Sequence, residues 1–178
     1  DAKSVETEVK AFNDKVLRFN LLYASTVANT LSIYADSNEA SKLLEQVNSV
    51  KSQSDVKLQS EALKILVLDF SKQIQKLTSD PEFSNRTQQL NVDGAKKLRA
   101  ATPSFLILML QSRGILESGK KLVNSDEFKN QNAVLILSVN DSLPTLMTSV
   151  ASLSTSLPKI SNALKQLANS PETKSVSN

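Results

Sequence analysis

Ten apolar residues toward the C-terminal end recur with a seven-residue period. Ile136, Leu143, Val150, Leu157 and Leu164 form one row, and Val139, Leu146, Leu153, Ile160 and Leu167 form a second, offset by three. Ser, Thr, Asn and Lys fill most of the positions between. A strand alternates its faces with period two and cannot align such a set, whereas a helix gathers all ten on one stripe. Burying each of these side chains contributes about 1.5–3 kcal/mol. The stripe therefore demands a partner surface, and the chain is predicted to fold as packed helices. Pro144 and Pro158 lie two heptads apart on one flank of the stripe. They are expected to kink the helix on its solvent side. The alternative is a break into shorter pieces, since a proline inside a helix costs about 3 kcal/mol.

The N-terminal stretch carries the same signature. Val5, Phe12, Phe19 and Ile33 share one seven-residue row with Thr26, and Val9, Val16 and Tyr23 form the second. Leu17, Ala24, Ala28 and Leu31 widen the stripe, as expected for a helix that faces two neighbours. Sheet-rich domains need frequent turn residues, and this chain has only 3 Gly and 5 Pro. With 178 residues, 40% of them apolar and 22% charged, it is long enough for one domain with a real core. A single domain is expected over residues 1–170, with a frayed polar tail at 171–178.

Capping chemistry suggests where helices begin. A capping box sets Ser, Thr, Asp or Asn at the N-cap and Glu three residues later. Asp36 with Glu39, Ser79 with Glu82, Asn124 with Glu127 and Asn169 with Glu172 fit it, the last three at intervals of 45 residues. An internal helical repeat of that length is one reading. Four helical segments with similar junctions is the preferred one, because the likeness is confined to the junctions and the seams are heptad-like. The predicted fold is thus all-α, an antiparallel up-and-down bundle of four long segments at 4–35, 37–78, 80–123 and 125–168. Some are expected to kink or break at Pro, Gly or Ser. Ser49 to Ser54 is a candidate split, Asn85 to Gly94 a candidate loop before a helix from about Ala95, and Pro103 a further kink or helix start.

The residue inventory narrows the chemistry. His and Cys are both absent, which removes serine triads, thiol nucleophiles, zinc and iron–sulfur sites. No calcium-loop pattern is present, and no metal or cofactor is expected. The string from Gly114 to Lys121 matches GxxxxGK, yet a phosphate-binding loop needs Ser or Thr next and a parallel sheet around it. Here Lys121 stands at that position, so a helix whose glycines permit close contact is the preferred reading. Asp69, between Leu68 and Phe70, is expected to face outward or to pair with Lys72 or Lys76. Asn85 and Asn140 begin N-glycosylation patterns. The net charge of +3 and 4% aromatic content do not supply the basic, stacking surface of a nucleic-acid binder. Clusters at Lys96, Lys97 and Arg99 and at Lys120 and Lys121 read as solvated faces. No apolar run reaches the length of a transmembrane span. The lack of Cys fits a secreted or periplasmic chain and many cytosolic ones, and the start at Asp1 fits either processing after export or trimming for expression; a secreted or periplasmic location is the expectation.

Two apolar runs exceed what a narrow seam needs: 63–70 and 105–110. A helix that is apolar all round is expected to be surrounded by its neighbours. Leu63, Leu66, Phe70, Phe105, Leu108 and Met109 are the candidate lining of a pocket for an acyl chain or another hydrophobic small molecule or lipid. The expected function is a non-enzymatic binding or structural bundle, with such a ligand held between helices. The alternative is an interaction module or cell-surface component that docks a partner protein and takes no small molecule.

Overall fold

A computed structural model describes the backbone of residues 2–168 and the side chains from residue 4 onward. Among these the fold is all-helical: α1 (Ala2–Tyr34), α2 (Ser37–Lys51), α3 (Val56–Ser79), α4 (Phe83–Gln88), α5 (Val92–Asn124), α6 (Asp126–Lys129) and α7 (Ala133–Ala168). The tail and the box at Asn169 lie outside the described residues. Helix α1 is the hub. It packs on α2, α3, α5 and α7, while α7 also touches α3 and α5. Its C-terminal half, from Tyr23 to Leu31, is buried on almost every side. That placement explains why its apolar stripe is broad.

The predicted second segment is two helices. The polar stretch 52–55 ends α2 and starts α3, and the Asp55 side chain caps α3 by accepting from the Leu58 amide at 3.0 Å. Helix α2 lies antiparallel to α3: Gln59 donates to the Val50 carbonyl at 3.1 Å, and the two helices border one groove. The split changes the parity of the bundle. Four alternating passes would leave the first and last antiparallel, whereas five make α1, α3 and α7 parallel, with α2 and α5 running the other way. The short α4 closes one end. The Tyr34 ring of α1 packs tilted against Phe83 with centroids 5.4 Å apart, and its hydroxyl meets Thr87 Oγ1 at 2.8 Å. Arg86 donates to the Tyr34 carbonyl at 3.0 Å.

Helix starts follow N-cap side chains more closely than full capping boxes. Asp36 accepts from the Glu39 amide, as the box requires. The predicted start at Ser79 is not used: α3 runs through it, and Asp80 bonds the Glu82 amide instead. The start at Asn124 moves by one, to Ser125, which caps only the four-residue α6. The long helices α5 and α7 begin at Asn91, which accepts from Gly94, and Asn132, which accepts from Leu135. Neither has Glu at the third helical position, and one side-chain acceptor suffices to satisfy an orphan amide. Helix α5 thus starts at Val92, earlier than expected, and continues through Pro103. Helix α7 continues through Pro144 and Pro158, which are both exposed. A proline facing solvent leaves its freed carbonyl to water, which lowers the cost of keeping the helix whole.

The seam of α7 is buried, but its centre is displaced. The row Val139, Leu146, Leu153, Ile160 and Leu167 is fully inside. Of the other predicted row only Leu157 is buried, and Ile136, Leu143, Val150 and Leu164 are half-exposed. The second buried row instead contains Ser149, Ser156 and Ala163. Small side chains there let α1 and α3 approach closely, and the larger residues flank the contact.

Candidate functional site

The serines on α7 are also polar partners. Asn13 accepts from Ser142 at 2.9 Å, Asn20 from Ser149 at 2.7 Å, and Tyr23 donates to Ser152 at 2.7 Å. All three pairs have a sequence separation of 129. A constant separation is the mark of two parallel helices in one register. Asn13 also donates to Ser138 at 2.9 Å, and Tyr23 shares a 2.8 Å bond with Ser71 of α3. The Tyr23 ring is fully buried, and burial raises its phenol above the ordinary 10.0, with the bonds to Ser152 and Ser71 opposing. This ladder joins three helices through neutral hydroxyl and amide groups. It holds no ionised group and offers no acid–base pair. Each bond contributes about 0.5–1.5 kcal/mol net, while an orphaned partner costs about 1–3 kcal/mol. The ladder therefore penalises slipped registers that the apolar residues alone would tolerate.

The six candidate pocket residues enter the common core. Leu63, Leu66 and Phe70 come from α3, and Phe105 and Leu108 from α5, all at 6% exposure or less. Met109 is partly buried against the same cluster. The α1–α7 pair separates the two groups. Leu66 also edges an open groove between α2 and α3, with Ala62, Ile65 and Asp69. A second open groove, between α1 and α5, is bordered by Phe12, Lys15, Lys121 and Leu122.

The apolar runs are not surrounded, contrary to the expectation from their composition. Ile65 and Leu68 of α3 stand 72% and 51% exposed, and Leu106, Ile107 and Leu110 of α5 are 51%, 47% and 81% exposed. The reason lies in the other side of α5. Leu98, Phe105, Ser112 and Gly119 recur every seven residues, as do Ala101, Leu108, Ile115 and Leu122. These two rows fill the core-facing side, burying at least partly every member. Leu106, Ile107 and Leu110 fall opposite them. This seam is hard to see in the sequence because Ser and Gly occupy two of its central positions.

The remaining motifs resolve simply. Residues 114–121 lie inside α5, so the GxxxxGK string forms no loop. At Gly119 side chains of α1 and α7 press close on α5, since a methyl group there would stand 2.8 Å from Phe12 and 3.0 Å from Leu143. Gly114 has no neighbour within 4 Å of that position. Asp69 is exposed and accepts from Gln73 at 2.8 Å, with no lysine partner among the described residues. Asn85 donates to Glu82 from the exposed side of α4, and Asn140 is exposed on α7. Among the described residues no three His, Cys, Asp or Glu side chains gather as a metal site. By length and composition α7 is the one described helix apolar enough to cross a membrane, but its serines are engaged in the ladder inside the bundle. Comparison of the chain with protein-family models, with curated proteins and with solved structures gives no match.

Proposed function

We propose that this chain is a non-enzymatic binding or structural protein that works through the outside of its bundle, docking a partner on apolar side chains left out of the core. The observation that carries this reading is the outer line of α5. Leu106, Ile107 and Leu110 form a contiguous exposed set on a helix whose inner side is already complete. Contiguous exposed apolar side chains mark interaction surfaces, because they recover the hydrophobic term only when something covers them. An acyl chain held between helices has less support. Its candidate lining already packs against core neighbours, and a ligand would displace those contacts.

Native mass spectrometry of protein purified without detergent separates the two readings, alongside titration with a fluorescent fatty-acid analogue. The outward reading expects a clean apo mass and no saturable binding. A bound acyl chain retained by a Leu106→Ser/Leu110→Ser variant would overturn it, because the chain would then sit inside the bundle.

A further inference from the structure

We infer that the outer ridge of α5 seats on an anionic lipid surface, an assignment that rests on the outward-docking reading above and gives its partner a chemistry. A helical projection of α5 places Lys96, Arg99, Leu106, Ile107, Leu110 and Arg113 within one exposed strip. The basic residues stand at its two ends and the apolar ones at its centre. Every one of the six is exposed. From Lys96 to Arg113, about 26 Å of helix at 1.5 Å per residue, α5 carries no acidic residue. Glu117 is the one carboxylate on this face and lies beyond Arg113. Lys96, Arg99 and Arg113 make no ion pair within the bundle among the described residues, and Lys97 is the only α5 cation that does, with Asp93.

The charge is also concentrated here. Helix α5 has six basic and two acidic residues, an excess of four. The next most basic helix, α3, has four basic and two acidic residues, an excess of two. Helix α5 thus carries the largest positive excess of any described helix. Apolar side chains that enter the acyl boundary, bracketed by cations that meet phosphates, are the arrangement of an interfacial helix.

The geometry disfavours the other occupants. A second copy laid antiparallel on the ridge would set Lys96 and Arg99 against Arg113, and a parallel copy would set each cation against its own equivalent. A partner helix gains most from a groove between two helices, whereas this face is a convex ridge on one helix. A plane of headgroups meets a ridge along its whole length.

The test is flotation of the full chain with vesicles of phosphatidylcholine alone or mixed with phosphatidylglycerol, at low salt and at about 1 M salt, where charges are screened within ~3 Å. Binding is expected only to the phosphatidylglycerol vesicles at low salt. Leu106→Ser/Leu110→Ser and Arg99→Glu/Arg113→Glu should each weaken it by roughly tenfold or more. Both variants should keep the circular dichroism and melting temperature of the parent, since all four positions are exposed. Absence of binding to the phosphatidylglycerol vesicles, or binding untouched by both variants, would overturn the lipid assignment. If the ridge instead binds an acidic amphipathic peptide and the variants abolish that, the lipid assignment falls while outward docking stands. A chain inert toward both, yet carrying an acyl mass inside, overturns the two together.

Discussion

Two glycines five residues apart on α5 allow one substitution to be read against itself. Replacing Gly by Ala in a helix interior contributes about 0.8–1.0 kcal/mol from backbone propensity. At Gly114 nothing lies within 4 Å of the added methyl group, so Gly114→Ala should stabilise by close to that amount. At Gly119 the methyl would stand 2.8 and 2.9 Å from two Phe12 ring carbons and 3.0 Å from Leu143 Cδ1. Carbon atoms prefer about 3.5–4.0 Å. Leu143 is half-exposed and can turn away, but the Phe12 ring is 4% exposed and rigid, so α1 or α5 must shift. Overpacking of this kind costs about 1–3 kcal/mol, which outweighs the propensity gain. Gly119→Ala should therefore destabilise by about 1 kcal/mol. For a chain of this size, 1 kcal/mol moves the melting temperature by about 2–4 °C. The two variants should shift in opposite directions in thermal melts followed by circular dichroism, and in urea midpoints with an unchanged slope. A Phe12→Leu change in the Gly119→Ala background should recover part of the loss, giving a non-additive cycle. Equal stabilisation by both alanines would refute the close contact of α1, α5 and α7 at Gly119.

Other expectations follow from the core. Tyr23→Phe removes two buried bonds and orphans Ser71 and Ser152, so urea unfolding should show a loss of about 1–3 kcal/mol; a neutral result would mean that the hydroxyl ladder is not formed. Burial holds the Tyr23 and Tyr34 phenols above their ordinary 10.0. The folded chain thus keeps protons that the unfolded chain has lost, so stability is intact below about pH 10 and falls as pH rises through the folded values. Melting temperatures from about pH 9 to about 11 should fall less steeply for Tyr23→Phe than for the parent; an unchanged slope would remove Tyr23 from this account. Leu153, 1% exposed, should tolerate Asp very poorly, with a loss of several kcal/mol from an unpaired buried charge, and an unchanged melt would place α7 in a different rotation.

Much of the architecture is legible along the chain. The seven-residue rows on α1 and α7 are a property of helix geometry acting on apolar spacing, and they require long helices with a shared core. The scarcity of Gly and Pro, and the polar stretch after Ser49, are local features that act locally. The missing His and Cys are facts of composition that no fold can alter. Tertiary structure decided the rest, because burial depends on what stands opposite. It turned four passes into five by folding α2 back along α3, and so set α1 and α7 parallel. It made Ser149, Ser156, Ser112 and Gly119 interior, since small side chains are inside only where another helix comes close. A sequence scale that ranks by hydropathy sees no reason to bury them. The same cause left Leu106, Ile107 and Leu110 outside: α5 had already filled its inner side with rows that include a serine and a glycine, and a helix has only one side to give to the core.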